Sequence, residues 1–383
     1  MAASTAWGEP GASWTEGCEG LISQIRAFAE ELAVGREGLT PSDRAHGHDV
    51  EVWARMAGEL GLQGIAIPET YGGGGRGVIQ QLVVMSELGR ALLCTPYLST
   101  AILAAGAVLD SEDDDVCRDL LPRIAAGGLT ATVVLPGAAD GPGAGVLTAE
   151  ARRTAAGHRL TGAGVALLDG RVADVFLVAA ECEGRATLFA VDGESVSIAP
   201  GPGEPAETTP GGTAVEFHDA PARPVGRPGA AEQILARALR RAALATAAEQ
   251  AGGARRCLEM SVRYARERRQ FGQPIGAFQA ISHKCADMRL TVEAAWSALD
   301  YAARAEAAGA EDADWAASAA KSLCSEAYVR VATDAVQIHG GAGYGWDSEA
   351  QAHLRRALAT ERLFGDPSEH RRFCADLLVG SAL

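Results

Sequence analysis

Along the first third of the chain, apolar residues recur every three or four positions. Leu21, Ile22, Ile25, Phe28, Ala29 and Leu32 share one helical face, and Val52, Trp53, Met56, Ala57, Leu60 and Leu62 share another. A loop is predicted where Ile67-Pro68-Glu69-Thr70-Tyr71 runs into the glycines at 72–75, a stretch that cannot stay helical. Helical spacing then returns over 80–93, 101–109 and 115–125.

The period changes in the middle of the chain. Short β-branched or alternating runs at 130–135, 145–148, 159–161, 175–180, 186–191, 196–199 and 214–218 are separated by Gly, Pro and Asp clusters, the pattern of a β-domain. The segment 200–205 reads as a loop. From about residue 230 the helical signal returns and stays. It predicts helices over 231–270, interrupted at Gly252-Gly253, then over 279–308, 312–340 and 348–363, with a short one closing the chain. Long helices with short joins form a bundle. The pattern therefore predicts a mainly α protein with a small β-domain. Its units are an N-terminal helical domain (1–127), a middle β-barrel-like domain (128–226) and a C-terminal four-helix bundle (227–383).

Composition narrows the partners. The 383 residues are 48% hydrophobic and carry a net charge of −15. That acidity disfavours nucleic acid and anionic membrane as partners, and an anionic ligand would need a local basic pocket. No apolar run is long enough for a spanning helix, and the first residues lack a basic start followed by an apolar core, so a cytoplasmic protein is expected. The eight cysteines are scattered, without a C-x-x-C pair, so neither a metal site nor a disulfide framework is expected.

Three stretches carry chemistry. The first is Glu267-Arg268-Arg269-Gln270-Phe271-Gly272-Gln273-Pro274-Ile275, followed by Gln279-Ala280-Ile281. The second is Asp334-Ala335-Val336-Gln337-Ile338-His339-Gly340-Gly341-Ala342-Gly343-Tyr344. The third lies upstream, Gly61-Leu62 and then Pro68-Glu69-Thr70-Tyr71-Gly72-Gly73. In order and spacing they resemble the acyl-CoA dehydrogenase family over nearly the whole chain. The resemblance implies FAD as cofactor, an acyl-CoA as substrate, and an electron-transfer flavoprotein or similar acceptor. It also implies a homo-oligomer or a pairing with a homologous chain, with flavin at the interface. Arg268, Gln270, Phe271, Gln279, Gln337, Gly340 and Gly341 become the cofactor-binding residues. Arg268 supplies a cationic fork suited to a pyrophosphate, and glycines let backbone N–H groups approach a phosphate or ribose. Arg266 and Arg269 read as surface residues.

The pattern also departs from the family. The usual catalytic Glu falls at Gly365 in Phe364-Gly365-Asp366-Pro367-Ser368-Glu369. A shift of one residue puts Phe364 or Asp366 there. The alternative family position, on the first bundle helix, falls at Ala242 or Ala243. Glu249 lies on the same helix face, ~10 Å further along, and is the candidate catalytic residue. Its competing reading is an ion pair with Arg240, Arg241 or Arg256. In the β-domain, Leu135-Pro136-Gly137-Ala138-Ala139-Asp140 replaces a flavin-binding motif, and Ala166 and Leu168 replace the usual Trp and Thr or Ser. These losses imply the non-catalytic partner in a heteromeric dehydrogenase. A self-sufficient homomer with a displaced base, or a non-redox acyl-CoA-binding scaffold, are the alternatives.

Overall fold

The computed structural model describes residues 14–34, 49–135, 149–155, 157–166, 168–198 and 212–380. The strand expected at 145–148, the loop at 200–205, the motif residues 136–140 and Leu167 lie outside them.

The N-terminal unit contains α1 (Glu19–Val34), α2 (Val50–Gly58), a 3-10 turn (Glu69–Tyr71), α3 (Val78–Arg90), a π-helical segment (Tyr97–Ala104), α4 (Ala105–Asp110) and α5 (Asp114–Ala125). Asp49 and Asp113 cap α2 and α5, their carboxylates accepting from Val52 N at 3.1 Å and Val116 N at 3.2 Å. The helix expected at 101–109 starts earlier, at Tyr97, as π-helix. Wide turns of this kind are frequent where a helix must present side chains to a site.

Seven strands follow: β1 (Ala131–Leu135), β2 (Ala149–Thr154), β3 (Gly157–Ala166), β4 (Val175–Cys182), β5 (Arg185–Asp192), β6 (Val196–Ile198) and β7 (Thr213–Val225). The pattern missed β2, because Glu150, Arg152 and Arg153 leave it little apolar character. The expected barrel-like closure is corrected. The strands form one seven-stranded sheet, ordered β1-β3-β2-β4-β5-β7-β6, with branch pairings β1–β4 and β3–β7. β1 meets β3 through two residue pairs and β2 meets β4 through one, too few to seal a barrel wall, and the three-residue β6 is left at the end. Successive side chains divide the sheet's two faces. Leu177, Ala179 and Leu188 join the core shared with the helices, while Phe176, Val178 and Phe189 form a separate core on the other face.

The C-terminal unit is α6 (Ala231–Glu267), a small hairpin of β8 (Arg269–Gln270) and β9 (Gln273–Pro274), α7 (Gln279–Ala308), α8 (Ala313–His339), α9 (Glu349–Glu361) and α10 (Pro367–Gly380). The interruption expected at Gly252-Gly253 is not found, and α6 runs straight through. Those glycines permit close crossing instead. A Cβ on Gly252 would lie 1.9 Å from Ser86 O of α3, and one on Gly253 would lie 2.4 Å from the Tyr328 ring of α8.

Candidate functional site

The first motif begins where α6 stops. Arg268 leaves helical geometry, its N–H donating to Tyr264 O at 2.8 Å while its carbonyl accepts from Ile275 N at 2.8 Å. That bond closes the hairpin, whose two turn residues, Phe271 and Gly272, both have positive φ (52° and 82°). A phenylalanine in left-handed backbone at a hairpin tip is unfavourable in itself, and here its ring is 92% exposed. The Phe278 ring stands edge-on to it, centroids 6.1 Å apart. Arg268, Gln270 and Gln279 are exposed as well. Among the described residues, no side chain or backbone group of the chain pairs with the Arg268 guanidinium.

The second motif ends α8. Gly340 adopts φ 60°, ψ −136°, its N–H capping the helix on Gln337 O and Val336 O. Gly343 is required by packing, since a Cβ there would meet Val336 O at 2.5 Å. Gly341 has no such reason, because a Cβ on it would meet nothing within 4 Å. Gln337 is exposed beside it. The Tyr264 ring stacks on His339 with centroids 4.4 Å apart, bringing the two motifs together. One helical turn from Gln279 and Gln337, α7 and α8 frame a concavity of about 490 Å³. Its lining includes His283, Arg330 and the Lys284–Asp334 ion pair, whose N and O atoms are 2.5 Å apart.

Glu249 and Gly365 lie elsewhere, in a buried polar centre between α6, α8 and α9. Glu249 is 3% exposed, and its Oε1 accepts from Arg356 Nε at 2.5 Å. The ion pair considered from sequence is thus real but has another partner. Arg240 goes to Glu306 and Asp314, Arg241 to Asp110, and Arg256 to Glu349. Those three arginines sit a turn or more from Glu249 along the same helix, whereas α9 crosses directly over it. Glu249 Oε2 is buried and accepts no hydrogen bond from a described residue.

Gly365 follows α9 with φ 106°, and its carbonyl accepts from Lys321 Nζ at 3.3 Å. The same amine donates to Ser325 Oγ at 2.8 Å and Glu361 O at 3.0 Å. Burial pulls this ammonium down to about 8. Asp366 is occupied as a helix cap. Its Oδ1 accepts from Ser368 N and Glu369 N, both at 2.8 Å, and these backbone bonds hold its carboxyl below the ordinary value. In the sheet, Ala166 is fully buried, and Leu168 O accepts from Thr132 Oγ1 at 2.7 Å.

An outward-facing arginine, a solvent-facing aromatic and a glycine free of side chains on one face are the features a dinucleotide's phosphates and ribose require. Residues 15–128 match the acyl-CoA dehydrogenase N-terminal domain and 232–377 match the acyl-CoA dehydrogenase C-terminal domain. The chain belongs to the acyl-CoA dehydrogenase family. It is 34% identical to the acyl-CoA dehydrogenase FadE27 of Mycobacterium tuberculosis over 333 residues, 83% of this chain and 85% of that protein. It is 30% identical to the acyl-CoA dehydrogenase IpdE2 of Mycolicibacterium smegmatis over 357 residues, 92% of this chain and 96% of the other. Among solved structures, the ChsE4–ChsE5 complex from Mycobacterium tuberculosis superposes with a TM-score of 0.79 and 29% identity, covering 96% of this chain and 98% of that one.

Family membership makes this an oxidoreductase of the FAD-dependent, lipid-metabolising kind. Arg268, Phe271, Gln337 and Gly341 face outward, and a guanidinium, an aromatic ring, an amide and bare backbone suit a dinucleotide's phosphates, base and ribose. Ala166 and Leu168 bring neither an aromatic ring nor a side-chain hydrogen-bond donor. Among the described residues, no helix is long and apolar enough to cross a membrane and no cluster of metal-ligating side chains is found. The sequence reading missed Arg356, which pairs with Glu249 in the buried centre, and Asp169, a half-buried carboxylate after β3 that accepts from Ser99 Oγ. A lone aspartate ending the apolar run Val165-Ala166-Leu167-Leu168 was the available signal for the second.

Proposed function

We propose that this chain is a subunit of an FAD-dependent acyl-CoA dehydrogenase, acting in the α,β-dehydrogenation of an acyl-CoA thioester as the non-catalytic partner of a homologous chain. The observation that carries this reading is the outward-facing set Arg268, Phe271, Gln337 and Gly341, in which the Arg268 guanidinium pairs with none of the described residues. Bound FAD would supply the hydride acceptor. Arg268 would hold its pyrophosphate, Phe271 would cover its adenosine portion, and Gln270, Gln279, Gln337 and the backbone at Gly340 and Gly341 would hold ribose and phosphate oxygens.

The base is the missing part. Removing an α-proton needs a carboxylate free to accept it. Gly365 has none, Asp366 is spent on capping α10, and Glu249 is held by Arg356. This arrangement supports a partner that completes a neighbouring flavin site. The solved ChsE4–ChsE5 relative is itself a complex of two named components. Electrons would leave to an electron-transfer flavoprotein or similar acceptor.

The experiment is the flavin-to-protein ratio after purification of this chain alone and with a co-expressed homologous chain. Flavin retained only with the partner supports the proposal. Absence of flavin in both preparations refutes it and favours a non-redox acyl-CoA-binding scaffold. One observation favours a second reading, a self-sufficient homomer with Glu249 as displaced base. Glu249 Oε2 is buried without a donor, as an atom awaiting a ligand would be. A chain that is yellow alone, oxidises acyl-CoA with an artificial acceptor, and loses turnover as Glu249→Gln would establish that reading.

A further inference from the structure

A concavity in the N-terminal unit has no task in the reading above. It holds about 330 Å³ between the start of α3, the π-helical segment with α4, and the parts of α6 and α7 that carry Arg241 and Glu306. Its walls are largely apolar. Ile67 and Ile102 are buried in them, and Val78, Ile79 and Leu109 are only half-buried. Gln81 Nε2 donates to Ala101 O at 2.8 Å and ties α3 to the π-helical segment on this side. On another face of that segment, Thr100 Oγ1 donates to Ala131 O at 3.0 Å, so the sheet lies elsewhere.

Two of the three charged side chains in the walls are already matched. Arg241 is paired with Asp110, and Glu306 with Arg240 at 3.0 Å. Arg76 is the third. It is exposed at the rim, and among the described residues no carboxylate pairs with it. The loop that carries it is pinned through its backbone, Gly75 N donating to Ile67 O and Arg76 N to Ile65 O, both at 2.9 Å. The next residue, Gly77, is the N-cap of α3 and brings no side chain to its first amides. The rim therefore joins a free guanidinium to the positive end of a 13-residue helix. In a chain of net charge −15, such a local cation above an apolar wall selects a ligand with one anionic end and one apolar end.

The volume stands at the lower end of ligand-binding cavities, which suits a chain without a CoA. Arg241 precedes Arg268 by about 40 Å along α6, so the concavity is separate from the cradle at Arg268 and Gly341. We propose that it binds an unesterified medium-chain carboxylic acid, the chain lying on Val78, Ile79, Ile102 and Leu109 and the carboxylate at Arg76 and the first amides of α3. The assignment does not depend on the function proposed above.

Equilibrium dialysis of the full chain with labelled octanoate tests it. Octanoate should bind at millimolar concentration or below, and each methylene removed, in heptanoate and then hexanoate, should weaken binding about fourfold. Arg76→Gln should weaken octanoate roughly 3- to 10-fold, and Arg76→Lys should recover most of that loss. Ile79→Asp, which sets a carboxylate in the apolar wall, should weaken it further. Hydrogen exchange on the wild type locates the ligand without any variant, and octanoate should slow exchange in 76–81 and 101–109. Arg268→Ala should bind octanoate as the wild type does. No binding, equal affinity in Arg76→Gln, slowed exchange confined to other segments, or loss of binding in Arg268→Ala would each overturn the proposal, the last by placing the acid in the flavin cradle.

Discussion

Tyr264 and His339 stack ring on ring, centroids 4.4 Å apart and planes 25° from parallel. Tyr264 belongs to the last turn of α6 and its carbonyl caps Arg268, while His339 is the last residue of α8 and leads into Gly340. Two motifs some seventy residues apart are thereby fixed as one surface. Replacing Tyr264 with Ala should leave the bundle folded and loosen that surface. An aromatic contact of this kind contributes ~0.5–1.5 kcal/mol beyond its buried area. Fluorescence titration of the assembled protein should therefore show FAD bound roughly 2- to 12-fold more weakly. Undiminished affinity would mean that the two motifs do not act on the cofactor together.

Arg268 should matter more than its neighbours. A hydrogen bond to a charged group contributes ~1.5–3 kcal/mol, so Arg268→Ala should weaken FAD retention roughly 10- to 150-fold. Arg268→Lys should recover part of this, because a point charge replaces a two-pronged contact. Arg266→Ala and Arg269→Ala should leave flavin content unchanged. The check is flavin released per protomer on gel filtration at increasing salt. Equal loss from all three variants would reduce the cradle to general basic charge.

How much of this was legible in the sequence differed by region. The helix starting at Gln279 and ending at Ala308 was readable to the residue, because the Pro274-to-Phe278 turn and Gly309 punctuate it. The sheet was legible as strands but not as an open arrangement, since closure depends on how many residues β1 and β3 share and no local pattern encodes that. Gly252-Gly253 read as a break because propensity is local, whereas their role is set by Ser86 and Tyr328 arriving from other helices. The cradle was named from motif residues, and the described structure leaves those residues facing outward. The occupant of that face was not legible, because it is not part of this chain. The partner of Glu249 was misjudged for a similar reason. The arginines considered lay nearby in sequence, and the one that arrives comes from α9.

The Arg356–Glu249 pair makes a prediction of its own. Removing one member of a buried ion pair strands the other charge, which costs ~3–5 kcal/mol. Arg356→Met should lose about that much stability, read as a lower urea midpoint with unchanged m-value. The double variant Arg356→Met with Glu249→Gln should recover most of the loss, since neither site then carries a charge. If the single variant is as stable as the wild type, Glu249 is solvated by water in this centre, and its role as a candidate base gains ground.

Lys321 is fully buried, and among the described residues its ammonium donates to neutral oxygens, those of Ser325, Thr360, Glu361 and Gly365. These contacts cap the last carbonyls of α9 and fix the loop at Gly365. Burial lowers the group from 10.5 to about 8, so the folded state binds this proton less tightly than the unfolded chain does. The unfolded chain binds more protons between these two values, and stability must rise with pH across that window. Lys321→Met removes the titration but leaves several buried carbonyls without a donor, so the variant should be less stable at every pH tested. The informative quantity is the difference between wild type and variant, in which the tyrosines and cysteines common to both cancel. That difference should grow in favour of the wild type by ~2 kcal/mol between pH 7.5 and 9.5, measured by urea unfolding under reducing conditions. A difference independent of pH would mean that the amine stays charged throughout, held by the helix-end carbonyls more strongly than burial opposes it.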